Sequence, residues 1–222
     1  MTPTIGVVVF PGTNCEHDVV RALSLVGVKA VLKWHADTEL QDVSAIVLPG
    51  GFAHGDYLRP GAIARFSAIM ASIVKFAKAG KPVLGICNGF QVLTEAGLLP
   101  GALQKNSGLR FICSTVEVEV VSNHCIATSQ LQTGQRISLP INHFEGNYTC
   151  DEATREKLIE NNQVVFRYVS NPNGSVDAIA GISNKGGNVV GMMPHPERAV
   201  EDLVGGTDGK LILESFASMV LS

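Results

Sequence analysis

The chain has 222 residues, of which 45% are hydrophobic and 17% charged, and its formal net charge at pH 7 is −3. This composition is typical of an ordered globular protein, and we expect one domain over residues 1–222. The weak acidity and the lack of any Lys/Arg run exclude nucleic acid as a main partner. A signal peptide and an apolar run of about 20 residues, as a membrane span needs, are both missing, so a cytoplasmic location without membrane contact is expected.

The first half alternates strands with helices. Ile5–Phe10 is a continuous apolar run, which is typical of a strand covered on both faces. The next predicted elements are a helix capped by Thr13 or Asn14 and ending at Val26, strands over Val28–Trp34 and Ala45–Leu48, and a helix over Ala62–Lys78. This alternation predicts a parallel, doubly wound sheet with right-handed crossovers.

The second half has a different pattern. Phe111–Val121 alternates valines with glutamates, which indicates an antiparallel strand exposed on one face. Further strands are predicted over Arg136–Asn142, Val164–Val169, Ala178–Ser183 and Asn188–Met193, and a last helix over Lys210–Leu221. We therefore expect an α/β fold of three layers, in which a mostly parallel sheet carries an antiparallel extension.

The most informative stretch surrounds Cys87. A short apolar strand, Val83–Ile86, leads into it, glycines stand two residues before and after it (Gly85 and Gly89), and a helical pattern starts at Asn88. A strand, a sharp turn and a helix with this glycine spacing form the nucleophile-elbow pattern, here with sulfur as the nucleophile. A helix N-terminus also favours the thiolate. The alternative is a buried structural cysteine in a glycine-rich turn.

A histidine and a carboxylate follow the last predicted strand. Pro194 and Pro196 force extended backbone on either side of His195. Residues two apart in extended chain point to the same side, so His195 can contact Glu197. A cysteine nucleophile needs such a base and orienting carboxylate, although a surface turn would also explain the pair.

Two loops offer donors for an oxyanion. The N–H of Asn88 follows the nucleophile, and Gly51, after the third strand, supplies a second N–H at the carboxyl end of a parallel strand. His143, at a strand end, lines the pocket or has a structural role. Cys15 is the rival thiol, but it lacks glycines two residues away, so its turn is looser.

The number of cysteines is odd, and none of the five forms a CxxC pair, which fits reduced thiols rather than disulfides or a zinc site. A phosphate-binding GxxxxGK[ST] motif is also missing, so ATP binding by this chain is not expected. We predict neither a metal ion nor a cofactor in this chain.

Gly85–Gly89 with Gln91, and Pro194–Glu197, resemble the class I (triad-type) glutamine amidotransferases, which share a flavodoxin-like fold. Within that class the chain is similar to the glutaminase subunits of phosphoribosylformylglycinamidine synthase, in their separate-subunit form. The stretches that carry this likeness are Phe10–Asn14, Gly50–Phe52, Gly55–Arg59, Gly61–Ala62, Asn106–Gly108 and His143–Tyr148. One departure is Phe144, where the family more often has glycine.

The resemblance implies a reaction and partners. Cys87 would attack the side-chain amide of glutamine, with Gly51 and Asn88 holding the oxyanion. His195, oriented by Glu197, would move the protons. Gln91 would bind the amino-acid end of the substrate, and His143 is the second residue assigned to substrate binding, from its place at the strand end. Ammonia would pass to a large synthetase subunit that uses ATP and Mg²⁺, and a small third subunit would join the complex.

Two other interpretations remain open. One is a different cysteine hydrolase on a flavodoxin-like sheet, as in the Parkinson-protein/intracellular-protease superfamily. Those enzymes place an acidic residue before the elbow, and the strand into Cys87 has none. The other is a catalytically idle scaffold subunit, against which all three triad residues argue.

Overall fold

The computed structural model describes residues 3–221, which form a nine-stranded sheet, a two-stranded sheet and five α-helices. The strands are β1 (Thr4–Val9), β2 (Lys29–Trp34), β3 (Ala45–Leu48), β4 (Val83–Ile86), β5 (Ala102–Gln104), β6 (Ile112–Val120), β7 (Arg136–His143), β8 (Asn147–Thr149), β9 (Val164–Tyr168), β10 (Ile179–Ser183) and β11 (Val189–Met192). The helices are α1 (Glu16–Leu25), α2 (Ala68–Lys78), α3 (Asn88–Glu95), α4 (Glu152–Glu160) and α5 (Asp208–Leu221). No helix among residues 3–221 is both long and apolar enough to cross a membrane.

The large sheet has a parallel half and an antiparallel half. Its order is β2-β1-β3-β4-β11-β10-β9-β6-β7, and the strands from β2 to β11 run parallel to their neighbours. The pairs from β11 to β7 are antiparallel. The predicted α/β fold with an antiparallel extension is therefore confirmed. The order 2-1-3-4 followed by a fifth parallel strand is that of a flavodoxin-like sheet, whose ligand crevice lies outside the carboxyl ends of the strands.

The core lies against the parallel strands. Every residue of β3 and β4 is buried, as expected for strands covered on both faces. The ring of Phe90 from α3 packs over β11 at Gly191, where a Cβ would lie 2.1 Å from the ring. The same ring stacks on Tyr148 of β8 with centroids 5.9 Å apart. Helix α3 is therefore fixed to the sheet on one side and to the small β5–β8 sheet on the other.

The sequence-based helix boundaries were wrong at two places. The helix predicted over Ala62–Lys78 begins only at Ala68, because Ser67 has an extended backbone (ψ 146°) that separates α2 from a short 3₁₀ turn, Ala64–Phe66. Serine favours such positions before a helix. The predicted cap of α1 at Thr13 or Asn14 was also wrong: the residue before α1 is Cys15, and within residues 3–221 no side chain caps that helix.

Three elements were not predicted. Helix α4 has few apolar residues, but the Asp151 carboxylate accepts a hydrogen bond from the N–H of Thr154 at 2.8 Å and caps its start. Strands β5 and β8 are three residues each. Such short elements have no periodicity to detect.

Candidate functional site

Four loops converge where the parallel strands end. The chain leaves β1 toward Cys15, β3 toward Gly50 and Gly51, β4 into Cys87, and β11 toward His195. The N–H of Cys87 donates to the carbonyl of Met192 at 2.8 Å, so the ends of β4 and β11 lie side by side. The loops after β1 and β3 are joined as well, since the Gly50 carbonyl accepts hydrogen bonds from the N–H groups of residues 14 and 15. Residues far apart in sequence are therefore brought to one edge of the sheet.

The turn at Cys87 is as sharp as an elbow requires. Cys87 has φ 51° and ψ −105°, a conformation that L-residues rarely adopt. A Cβ at Gly89 would lie 1.9 Å from the carbonyl oxygen of Leu48, and a Cβ at Gly85 would lie 2.7 Å from that of Gly89. Both positions therefore require glycine. The thiol is 5% exposed, and its Sγ lies 3.8 Å from the carbonyl oxygen of Asn142.

His195 and Glu197 are in contact. The ring Nδ1 lies 2.6 Å from the Glu197 carboxylate, and both side chains are buried. Burial lowers the pKa of His195, but the Glu197 carboxylate and the Cys87 sulfur outweigh it and hold that pKa well above its usual value. Within residues 3–221, the ring Nε2 has no hydrogen-bond partner. The pair is therefore a charged, oriented imidazole whose second nitrogen is free.

A second thiol adjoins the same imidazole. The Sγ of Cys15, a ring nitrogen of His195 and a carboxylate oxygen of Glu197 all lie within 4.8 Å of one another. Cys15 Sγ donates to Asn14 Oδ1 at 3.1 Å and accepts from Arg198 Nη2 at 3.1 Å. Burial raises the pKa of the Cys15 thiol. Spacing alone could not show this proximity, because the two residues lie on loops that meet only in the folded sheet.

Gly50 makes this crowding possible. A Cβ there would lie 2.7 Å from His195 Cε1, 3.0 Å from Cys15 Sγ and 3.5 Å from Cys87 Cβ. Any side chain at this position would push the imidazole away from both sulfurs. The Gly50–Gly51 pair in the sequence indicated that another group lies close to the backbone here, but only the structure shows that the His195 ring and the Cys15 sulfur are these groups.

The two predicted oxyanion donors flank the elbow. Gly51, with φ 146°, lines the cleft, and Asn88 begins α3. Neither N–H donates to a backbone carbonyl in the described chain. The Asn88 side chain does not line the cleft; its Oδ1 accepts from the N–H of Ala53 at 3.0 Å and its Nδ2 donates to Asp56. This amide therefore connects the elbow helix to the loop after β3.

Gln91 points into the cleft, but its amide is already paired. Its Oε1 accepts from Asn88 Nδ2 at 2.8 Å, and its Nε2 donates to the carbonyl of Glu145 at 2.5 Å. Asp56, which the sequence interpretation left unassigned, also lines the cleft. Burial raises the pKa of Asp56. Asp56 lies in Gly55–Arg59, one of the stretches that carry the family likeness, and this was the only sign in the sequence that it belongs to the site.

His143 is neutral and has one free nitrogen. Asn106 Nδ2 donates to the carbonyls of Arg110 and His143, so its Oδ1 must accept from His143 Nδ1, 3.1 Å away. The Nε2 of His143 is buried and, among residues 3–221, has no partner. Burial, with a smaller contribution from the charge of His195, lowers the pKa of His143 to about 4. His143, which lines the cleft, thus carries an unused hydrogen-bond acceptor.

These groups share one small cleft. It is lined by Asn14, Cys15, Gly51, Phe52, Asp56, Cys87, Gln91, Asn142, His143, Phe144, Glu145 and His195. Its free volume is about 30 Å³, which suffices for a few water molecules. Five of the seven sequence-predicted site residues line it, whereas Asn88 and Glu197 stand behind it. Phe144, the departure from the family pattern, forms part of the wall.

The backbone strain at Cys87 has a measurable consequence. Glycine usually costs about 0.5–1 kcal/mol relative to alanine in a regular element. At Cys87 this order should reverse, because only glycine adopts the observed φ and ψ without strain, which costs about 1–3 kcal/mol. Urea unfolding should therefore give Cys87→Gly a higher free energy of unfolding than Cys87→Ala. The same two substitutions at Cys113, an ordinary position in β6, should keep the usual order. The same order at both positions would show that the elbow is not strained.

The lowered pKa of His143 predicts a loss of stability in acid. The unfolded chain binds a proton at this residue below about pH 6.5, whereas the folded chain binds it only near pH 4. Stability should therefore fall as the pH drops through this window, by about 3 kcal/mol in all. His195 is protonated in both states there and contributes nothing. Urea unfolding at several pH values should show that the free energy of unfolding depends less steeply on pH in His143→Asn than in the wild type. Parallel pH dependences for the two proteins would contradict the prediction.

Comparison with known proteins agrees with this geometry. Residues 2–206 match the family described as CobB/CobQ-like glutamine amidotransferase domain. One chain of the solved structure of PurLQS from Thermotoga maritima is 46% identical, with a TM-score of 0.91 over 98% of this chain and 99% of that chain. A glutamine amidotransferase from the same organism has the same fold at 16% identity, with a TM-score of 0.65 over 100% of both chains. This chain therefore belongs to the CobB/CobQ-like glutamine amidotransferase family.

Proposed function

We propose that this chain is the glutaminase subunit of phosphoribosylformylglycinamidine synthase. It hydrolyses the side-chain amide of glutamine and delivers the ammonia to a synthetase subunit. The observation that carries the proposal is the cleft in which Cys87 adjoins the oriented imidazole of His195. The sequence likeness to that enzyme's glutaminase subunits and the 46% identity to a PurLQS chain support the choice of pathway.

The first step is attack of the Cys87 thiolate on the amide carbon of glutamine. The negative Glu197 holds His195 protonated, so the imidazolium is placed to stabilise the thiolate that attacks. The carbonyl oxygen becomes an oxyanion. The N–H groups of Gly51 and Asn88, which donate to no backbone carbonyl within residues 3–221, are the donors for it. Loss of one such donor costs about 3–4 kcal/mol of transition-state stabilisation in comparable enzymes.

The second step releases ammonia and clears the thioester. His195 gives its Nε2 proton to the departing nitrogen, and the C–N bond breaks. It then takes a proton from water, whose oxygen attacks the thioester carbon. The C–S bond breaks, Cys87 leaves as a thiolate, and glutamate is formed. Nδ1 stays hydrogen-bonded to Glu197 throughout, so the ring keeps its orientation.

Three polar groups recognise the substrate. The free Nε2 of neutral His143 accepts a hydrogen bond from the glutamine amide, which a glutamate carboxylate cannot donate. Asp56 supplies negative charge for the α-ammonium group. Gln91 binds the amino-acid end once it leaves the carbonyl of Glu145.

The proposal includes partners that this chain lacks. A large synthetase subunit would bind ATP and Mg²⁺ and convert formylglycinamide ribonucleotide to its amidine with the ammonia, and a small third subunit would complete the enzyme. No cofactor is assigned to this chain. The cytoplasm is the expected location, because the proposed reaction belongs to purine biosynthesis.

One observation favours a second version of the chemistry. Cys15 lies beside His195 as well, and could serve as the nucleophile. Its thiol already donates to Asn14, and its backbone is unstrained, at φ −106° and ψ 5°. The first version is therefore preferred.

Labelling distinguishes the two thiols. We expect a glutamine-analogue electrophile such as a chloroketone to modify Cys87 alone, as peptide mapping by mass spectrometry would show. Cys15→Ser should still be labelled, and Cys87→Ser should not. An adduct on Cys15 would show that Cys15 is the nucleophile, and the absence of any adduct would support the interpretation as a catalytically idle scaffold subunit.

The isolated chain should hydrolyse glutamine slowly. The cleft's 30 Å³ is about tenfold smaller than pockets that hold small ligands, so the cleft must open before glutamine enters. We expect glutamate production to rise at least tenfold when the synthetase, its nucleotide substrates and Mg²⁺ are added. Assays with Cys87→Ala in the same complex give the background. Equal rates with and without the synthetase would contradict coupling.

A further inference from the structure

We propose that Asn106 is a positioning residue that makes the cleft select an amide over a carboxylate. It acts through His143, by fixing which of the two ring nitrogens carries the proton. The place of that proton rests on contacts alone, whereas the identity of the selected amide as the side chain of glutamine rests on the proposed function. Asn106 belongs to the loop between β5 and β6 and does not itself line the cleft.

Three backbone groups determine the orientation of the Asn106 amide. Its Nδ2 donates to the carbonyls of Arg110 and His143 at 2.9 and 3.0 Å, and its Oδ1 accepts from the N–H of Gly146 at 3.1 Å. A carbonyl has no proton to donate and a backbone N–H cannot accept one, so the reversed amide would lose all three hydrogen bonds. Asn106 is fully buried, so water could not replace them. Oδ1 is therefore an acceptor at this position.

The proton of His143 consequently lies on Nδ1, which is 3.1 Å from Asn106 Oδ1. Burial and the positive charge of His195 lower the pKa of His143 to about 4, so the ring is neutral at pH 7. A neutral imidazole has a single N–H, and Nε2 must carry a lone pair. This Nε2 is buried and has no hydrogen-bond partner within residues 3–221, although the ring lines the cleft. A donor on a bound ligand would satisfy it.

The ring of His143 is also held in place. Gly146 lies so close to it that a Cβ there would be 2.2 Å from Cε1 and 2.3 Å from Nδ1. The carbonyl of Gly146 accepts from Asn173 Nδ2 at 2.8 Å, while its N–H is bonded to Asn106. Two fully buried asparagines therefore hold Gly146, and within residues 3–221 only Asn106 of the two is hydrogen-bonded to the imidazole.

The lone pair of His143 distinguishes substrate from product. The side-chain amide of glutamine has N–H donors, whereas the carboxylate of glutamate has only acceptors. Protonated His195 by itself would attract the carboxylate, because the two groups have opposite charges. The bare Nε2 opposes this attraction, since a carboxylate oxygen would place its lone pairs against that of the ring. Sites that hydrogen-bond a substrate N–H discriminate strongly against ligands that lack it, so Asn106 favours binding of the amide and release of the acid.

The first test locates the proton in the wild-type chain and needs no variant of Asn106 to fold. Nitrogen-15 NMR of protein labelled at its six histidines, with ring nitrogens correlated to ring protons, distinguishes Nδ1–H from Nε2–H. The signals that are absent from His143→Asn are those of His143. We expect one protonated nitrogen at pH 7, which is Nδ1. A proton on Nε2, with or without one on Nδ1, would overturn the proposal.

The second test changes the acceptor. In Asn106→Asp a carboxylate of nearly the same shape replaces the amide, and its negative charge beside Nδ1 favours a second proton on the ring of His143. The NMR spectrum of this variant should show Nε2 protonated. Calorimetry on the complex with the synthetase, in a Cys87→Ala background that leaves glutamine intact, gives the dissociation constants of glutamine and glutamate. We expect the ratio of the glutamate constant to the glutamine constant to fall by about tenfold or more.

Asn173→Asp is the matched control. It makes the same substitution at a residue that is equally buried and also holds Gly146, so it reproduces any general loosening of this loop. The protonation of His143 and the ratio of the two dissociation constants should remain those of the parent protein. Equal ratios in Asn106→Asp and Asn173→Asp would overturn the proposal.

The proposed function is scored separately, as glutamate production by the wild-type chain in the complex with the synthetase. Selective binding of glutamine without glutamate production would contradict the proposed function and support the role of Asn106. Glutamate production together with an unchanged ratio in Asn106→Asp would overturn the role of Asn106 and leave the proposed function intact.

Discussion

The structure depends on how closely backbone can approach backbone at the carboxyl ends of β3 and β4. A Cβ at Gly89 would lie 1.9 Å from the carbonyl oxygen of Leu48, and a Cβ at Gly50 would lie 2.7 Å from His195 Cε1. Helix α3 can therefore begin directly above the sheet, which forces Cys87 into a conformation that costs energy. The strain is tolerated because fully buried strands and the packing of Phe90 determine the surrounding backbone.

This constraint also explains the electrostatics of the site. Burial alone would keep an imidazole neutral, as it does at His143. His195 is even more buried, yet its pKa moves in the opposite direction, because the Glu197 carboxylate lies 2.6 Å from Nδ1 and the Cys87 sulfur adds to the effect. Two histidines in one cleft therefore have opposite protonation states. One can move protons, and the other can only accept a hydrogen bond.

Elements with a strong apolar pattern were predictable from the sequence, and side-chain partnerships were not. β3 and β4 were predicted with the observed bounds, since buried strands are short apolar runs that end at glycine or proline. The start of α2 was missed because a single extended residue, Ser67, interrupts a pattern that otherwise continues. The contact of His195 with Glu197 could be predicted from the sequence, because the two residues are only two positions apart. The proximity of Cys15 was not, because it depends on hydrogen bonds from its loop to Gly50.

The two thiols show how one fold assigns different chemistry to the same side chain. Cys15 precedes α1 in relaxed backbone and is held by Asn14 and Arg198, so its hydrogen-bonding capacity is already used. Cys87 precedes α3 in strained backbone, and the only hydrogen bond of its thiol within residues 3–221, to the carbonyl of Asn142 3.8 Å away, is long. A nucleophile must be free to leave its partners and reach carbon, whereas a thiol in a saturated network is better suited to a fixed role. The backbone geometry of the two turns, more than their distance from His195, is therefore what separates the reactive sulfur from its neighbour.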